Sequence, residues 1–168
     1  MRNFFLIITM IGFLNSYSQT DCFNPGIALI LLASDYASNA STLKFYGYIK
    51  KNSSYNKENK SYYDEYFVED KCGFLRSDIL LRYKDSTYVD LLFIVHSKDD
   101  YSSKFIKMMS DPFKYVITGH YYDNRLNKVF DRYSSQMVSY SIDINSEFDE
   151  KYQNYVTYII ADTRNKKE

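Results

Sequence analysis

The first 18 residues determine which part of this chain is left to fold. Arg2 precedes an apolar run over residues 4–14, and the small residues Ser16 and Ser18 follow it. This order is typical of a secretory signal peptide, in which a positive charge and a small-residue cleavage site flank an apolar core. A membrane anchor is the alternative, but spanning a bilayer takes about 20 apolar residues, which this run does not reach. We therefore predict a cleaved signal peptide over residues 1–18, with no transmembrane segment after processing.

The part that remains has the length and charge of one ordinary soluble domain. Removal of 18 of the 168 residues leaves 150, and we assign a single globular domain to residues 19–163 and a disordered tail to residues 164–168. Arg2 is the one charged residue that cleavage removes, so the mature chain carries 20 basic and 21 acidic residues. This balance argues against nucleic acid as a partner, because its binders carry a concentrated basic face. No internal repeat and no domain linker are recognisable.

Two cysteines, Cys22 and Cys72, remain in the exported chain. In a secreted or periplasmic protein a lone pair of cysteines is more often joined than free, so we predict a disulfide between them. Closing a loop of about 50 residues in this way would stabilise the fold by ~4 kcal/mol. A zinc site on the same thiolates is disfavoured, because the CxxC spacing and the accompanying histidines are missing. The sequence predicts no metal and no cofactor.

The first half of the mature chain predicts one helix and several strands. Asn24 and Pro25 are a good helix start, which predicts a helix over residues 27–36. The segments that follow are predicted as a strand at 43–50, an exposed loop at 51–61, a strand at 62–68, an ambiguous segment at 74–83 and a buried strand at 87–96.

The second half begins with a short helix. Asp99 and Asp100 open this helix, and Pro112 ends it. Strands are predicted at 113–122, 126–133 and 137–144, the first two as a hairpin. Residues 146–161 leave helix and strand open: a capping-box pattern at their start favours a helix, whereas their later part is rich in strand formers.

This order of elements resembles the OB topology, in which a helix separates the third and fourth strands of a small barrel. Residues 115–123 resemble the fourth strand of such barrels, where Gly119 would permit strong bending. We therefore predict a mainly β (α+β) domain built as a small OB-like antiparallel barrel. It would have a short N-terminal helix and a second helix between strands 3 and 4.

Side chains suited to catalysis are few. His96 and His120 are the two histidines, and each lies in or at the end of a predicted strand. No G-x-S-x-G motif places a nucleophile, and no clustered glycines form a phosphate-binding loop. Asp99 and Asp100 suit a helix start better than a calcium loop, which needs ligands at alternate positions. We predict no catalytic residue and no enzymatic activity.

Aromatic residues are the main candidates for binding. The chain has 19 tyrosines and 12 phenylalanines, and tyrosine is used at binding surfaces because it contributes large contact area at little entropic cost. Tyrosine also suits half-buried strands, so a purely structural role stays open. We predict an extracytoplasmic binding module for an unknown protein or small-molecule ligand, with an inhibitor or immunity-type protein as the alternative. The candidate binding residues are Tyr55, Tyr62, Tyr63, His120, Tyr121 and Tyr122.

Overall fold

The computed structural model describes residues 25–58, 60–71, 73–84, 87–138 and 140–162. The predicted signal peptide, the predicted tail at 164–168 and both cysteines lie outside these residues, so the cleavage and the disulfide between Cys22 and Cys72 stay predictions. None of the helices within the described ranges has the length and apolar character needed to span a bilayer.

The described residues form three helices and one eight-stranded sheet. The helices are α1 (Pro25–Ala33), α2 (Tyr36–Phe45) and α3 (Tyr101–Phe113). The strands are β1 (Ile49–Asn56), β2 (Ser61–Lys71), β3 (Phe74–Lys84), β4 (Thr87–Ser97), β5 (Val116–Asp123), β6 (Lys128–Ser134), β7 (Ser141–Asp149) and β8 (Asn154–Asp162). Their order across the sheet is β1-β2-β3-β4-β8-β7-β6-β5, and each neighbouring pair is antiparallel. The prediction of a mainly β protein is confirmed.

The predicted OB-like antiparallel barrel is not found. β1 and β5 are the outer strands of an open sheet, and the helix after the first meander lies between β4 and β5 instead of between strands 3 and 4. One error lies in the ambiguous segment at 74–83, which forms the additional strand β3 before the helix. A second error concerns β1, most of which lies in the predicted exposed loop over residues 51–61. All eight of its residues are exposed and most are polar, because this edge strand is held by backbone pairing with β2 and not by apolar burial. Its sequence therefore lacks the alternation that indicates a strand.

The predicted strand at 43–50 is also largely wrong, because a second helix occupies residues 36–45. Asp35 begins α2 by accepting a hydrogen bond from the backbone amide of Ser38 at 2.8 Å. Asn39 and Leu43, four residues apart, are both fully buried on its inner side. The sequence predicted one N-terminal helix where the structure has two.

Residues 146–161 belong to two strands and the turn between them, and not to a helix. β7 continues to Asp149, and a turn in which Gln153 has a positive φ leads into β8. β8 lies between β4 and β7 in the middle of the sheet and is buried along most of its length. Ile159 and Ile160 therefore face opposite sides of the sheet and are both buried, which obscures the two-residue period of a strand.

The main core lies between the helices and one face of the sheet, which we call the helix face. Phe105 and Met109 of α3, one turn apart, are completely buried in this core, as are Phe93 of β4 and Ile142 of β7. Burial alternates from Leu91 to Ser97 of β4, a segment that the sequence predicted as a buried strand without specifying alternation. We call the other side of the sheet the opposite face.

The two halves of the sheet repeat each other at a spacing of 67 residues. The strands β1, β2, β3 and β4 begin at Ile49, Ser61, Phe74 and Thr87, and the strands β5, β6, β7 and β8 begin at Val116, Lys128, Ser141 and Asn154. Irregular positions follow the same spacing: Gly47 and Lys114 both have positive φ, as do Lys60 and Asn127. The bulges after Lys50 in β1 and after Ile117 in β5 also correspond. Each half is thus a helix followed by a four-stranded meander, and the halves join through β4 and β8.

Candidate functional site

A cluster of charged residues lies on the opposite face of the sheet. Its acids are Asp90, Asp123, Asp143 and Asp162, all buried, and its bases are Arg82, Arg125 and Arg132. Strand register places Arg82, Asp90, Asp162 and Ser141 in one row across β3, β4, β8 and β7. The signal for these residues was weak in the sequence, because they are spread over six strands and one turn and share no local pattern.

Each arginine of the cluster is paired with a carboxylate. Arg132 donates two hydrogen bonds to Asp143, at 2.8 and 2.9 Å, and Arg82 donates a short one to Asp90. Arg132 also lies 4.7 Å from the centre of the Tyr121 ring, a distance suited to a cation–π contact. The hydrogen bonds to Asp143 raise the pKa of Arg132 first of all, and the charges of Asp143 and Asp162 raise it further.

The third arginine–carboxylate pair of the cluster, Arg125 and Asp123, stabilises the turn between β5 and β6. Asp123 accepts hydrogen bonds from the backbone amides of Arg125 and Leu126 and from the Arg125 guanidinium. The hydrogen bonds from Arg125 hold the pKa of Asp123 below its usual value. Asp90 also raises the pKa of Arg125, after the hydrogen bonds to Asp123.

The chemistry of this cluster is that of a neutralised network. Its four carboxylates and three guanidinium groups differ by one charge, and each guanidinium has a carboxylate partner. Such a network disfavours other strand registers, because a charge that lost its partner in the interior would be costly. We assign the cluster to the architecture of the protein and not to ligand binding.

A second surface lies at the β5–β6 hairpin, on the helix face. Three directly opposed pairs cross this hairpin, and together they form what we call the hairpin strip: Ile117 and Tyr133, His120 and Asp131, Tyr122 and Val129. Ile117, Tyr122 and Val129 each leave about half of their surface exposed (55%, 49% and 57%). Between the two apolar pairs, His120 Nδ1 lies 2.9 Å from Asp131 Oδ1. Tyr122 and Val129 are thus exposed side by side, and exposed apolar surface rimmed by polar residues such as His120 and Asp131 is typical of an interaction site.

The hairpin strip borders a groove of about 270 Å³ that runs under the first turn of α3. Its lining residues are Asp100, Ser102, Ile106, Val129, Asp131, Tyr133, Ile144, Asn145 and Ser146. All three β6 residues of the strip are among them, so the strip and the groove form one continuous surface. We take this surface as the candidate functional site.

The groove is acidic and rich in hydrogen-bonding groups. Asp100 and Asp131 line it, and no lysine or arginine does. Burial alone would raise the pKa of Asp100, but hydrogen bonds from Ser102 and Ser146 outweigh it and hold the pKa below its usual value. Burial raises the pKa of Tyr133, and the nearby charge of Asp131 adds to this effect. At neutral pH the groove therefore combines the ionised carboxylate of Asp100 with the protonated phenol of Tyr133.

The structure separates the candidate binding residues that the sequence predicted. His120 and Tyr122 belong to the hairpin strip, whereas Tyr121 points to the opposite face, with its hydroxyl 3.5 Å from Asp123. Tyr55 and Tyr62 lie at the other edge of the sheet, where their rings are 4.7 Å apart and both are exposed. Tyr63 of β2 pairs with Arg82 of β3 and therefore lies on the opposite face of the sheet. The predicted group is thus divided between two edges and two faces.

The sequence missed the acidic side of the groove. Asp100 was assigned only to the start of a helix, a role that it does have, since it accepts a hydrogen bond from the Ser102 amide at 2.9 Å. Ser146 bonds to the same carboxylate from β7, 46 positions along the chain. A contact of this kind depends on the packing of α3 against β7, and no local pattern in the sequence predicts it.

Neither a metal site nor a similar protein indicates the function of this surface. Within the described ranges, no group of three or more His, Cys, Asp or Glu side chains is placed to hold a metal ion. In comparisons with family models, curated proteins and solved structures, no match to this chain was found.

Proposed function

We propose that this protein is an exported binding module that captures a peptide segment of another protein on the hairpin strip and its groove. The observation that carries the proposal is the continuity of exposed apolar side chains, Ile117, Tyr122 and Val129, with an acidic groove. Apolar surface supplies binding free energy, and the carboxylates supply selectivity and orientation.

The charge of the groove indicates the chemistry of the partner. Asp100 and Asp131 have no basic neighbour among the residues that line the groove, so a positive side chain of the partner would meet two carboxylates. A segment with lysine or arginine next to an aliphatic or aromatic residue fits both parts of the surface. The His120 imidazole already lies beside Asp131, and we expect the positive side chain of the partner to bind Asp131 next to it.

The test is an array of eight-residue synthetic peptides with one apolar sequence and either arginine or glutamate at a central position. We expect the mature chain to bind the arginine peptides at least tenfold more tightly, and Asp131→Asn to reduce this preference several-fold. Tyr122→Ala should weaken binding of every arginine peptide by about tenfold, as for a moderate interface hot spot.

The chain offers a matched control for Tyr122. Tyr55 stands at the corresponding position of β1, 67 residues earlier, and its exposure is almost the same (48% against 49%). Tyr55→Ala should leave peptide binding unchanged. Equal binding of the arginine and glutamate peptides, or an equal loss from Tyr55→Ala, would show that this surface is not the binding site.

Export is tested separately. Residues 1–18 carry the pattern of a signal peptide, and an exported chain is expected to join Cys22 to Cys72. Protein purified from its native source should begin near residue 19, and its cysteines should resist alkylation until a reductant is added. An intact N-terminus together with two reactive thiols would contradict export.

A further inference from the structure

We propose that β5 is a self-association edge, through which two copies of this chain pair to form one continuous sheet. The proposal rests on the difference between the two outer strands, β1 and β5, which are structurally equivalent but chemically unlike. It is independent of peptide binding, because it concerns the edge of β5 and not the surface of the hairpin.

The two outer strands have the same place in the two halves of the fold. Both have eight residues, both are highly exposed, and both carry a bulge two residues after they begin. An edge strand of this kind is a template for another strand, and bulges reduce that risk only in part. Because the bulges correspond, they cannot account for a difference between the edges.

Lysine side chains distinguish the two edges. β1 has Lys50 and Lys51 at the positions where β5 has Ile117 and Thr118. Lysine on an edge strand opposes pairing, because a second strand alongside would desolvate its charge. β5 contains no lysine or arginine, and Val116 and Ile117 at its start are 62% and 55% exposed. The protection present on β1 is therefore missing from β5.

Self-pairing also agrees with the geometry and the net charge. Beyond the bulge, residues 119–123 form a regular stretch of five, a usual length for a paired strand. A two-fold axis through this stretch would pair it antiparallel with its copy and keep the helix faces of both copies on one side. The two hairpin strips would then lie next to each other. The chain has a formal net charge of zero, so long-range repulsion between copies is small.

The size of the contact indicates a weak dimer. Five residues from each copy bury less surface than a standard protein interface, so we expect a dissociation constant above ~1 µM. Sedimentation equilibrium of the mature chain without any peptide should show a rise from one chain mass to two between micromolar and millimolar concentrations. Amide hydrogen exchange should slow in β5 over the same range and stay constant in β1.

The decisive variant transfers the protection of β1 to β5. Ile117→Lys with Thr118→Lys places two lysines at the end of the paired stretch, opposite the turn of the second copy that contains its Arg125, and should weaken the dimer by at least tenfold. Ile49→Lys, at a similarly exposed position of β1, should leave the dimer unchanged. Circular dichroism checks that the variants fold. If the double variant does not fold, the exchange measurement on the wild-type chain decides. A monomer up to 1 mM, or a dimer that Ile49→Lys disrupts and the double variant does not, would overturn the proposal.

Discussion

Asp90 of β4 and Asp162 of β8 lie directly opposite each other on the two strands that join the halves of the sheet. Both are buried, with 6% and 1% of their surface exposed, and two carboxylates in this arrangement repel each other. Arg82 pairs with Asp90, and Ser141 donates a hydrogen bond to Asp162 at 3.1 Å. The charged cluster therefore offsets a repulsion at the junction of the two halves.

We expect Arg82→Met to destabilise the protein by about 3 kcal/mol, because it removes the cationic partner of the buried Asp90 carboxylate, which lies directly opposite Asp162. Adding Asp90→Asn should recover much of the loss, since the second change removes the unpaired charge. Urea unfolding of the two single variants and the double variant measures this coupling. A control is Lys51→Gln, which breaks an exposed pair with Glu65 and should cost less than about 1 kcal/mol. A double variant as unstable as Arg82→Met would contradict this account.

Stability at acid pH should depend on Asp123. Its pKa is lower in the folded protein than in the unfolded chain, first because of the hydrogen bonds from Arg125. Its contribution is therefore fully present above the unfolded pKa of about 4 and is lost as the pH falls through the folded pKa. Asp123→Asn should reduce the difference between the unfolding free energies at pH 6 and pH 3. Arg125→Gln should reduce it in the same direction, whereas an unchanged difference in Asp123→Asn would refute the assignment.

Burial should decide how much stability is lost when a phenylalanine is replaced by alanine. Phe105 is completely buried between α3 and the sheet, so Phe105→Ala should cost about 3–5 kcal/mol through lost burial and an unfilled cavity. Phe45, at the end of α2, is 82% exposed, and Phe45→Ala should change stability by less than about 0.5 kcal/mol. Thermal unfolding of both variants measures the contrast. A large loss in the Phe45 variant would mean that α2 has a partner along that face.

The glycines of the chain should differ in their tolerance of alanine. The sequence suggested that Gly119 permits strong bending, but an added Cβ at this position would meet nothing within 4 Å. Gly119→Ala should therefore be neutral or slightly stabilising, within about 1 kcal/mol. Gly73 has a φ of +76°, so Gly73→Ala should cost about 1–2 kcal/mol although the space around it is open. Chemical denaturation compares the two, and a costly Gly119→Ala would restore the original interpretation.

The local elements that the sequence predicted well are those whose burial pattern follows their own period. The buried strand β4, the hairpin of β5 and β6, and the start of α3 at Asp100 were all predicted near their observed positions. Each depends on contacts between residues close in the sequence or on one half-buried face. The repeat of 67 residues was missed, because the two halves share a pattern of turns and bulges and very few side chains.

The sequence by itself determined the mainly β character of this protein, the neutral charge balance and the scarcity of catalytic side chains. Tertiary structure decided which strands became edges, because β1 pairs through its backbone and leaves no apolar pattern to detect. It also decided the position of β8 at the centre of the sheet, where burial on both faces hides the strand period. The groove exists only because α3 returns across β7 and brings Ser146 to Asp100. A local sequence pattern indicates how one segment is buried, whereas a groove between elements depends on which segments pack together in the fold.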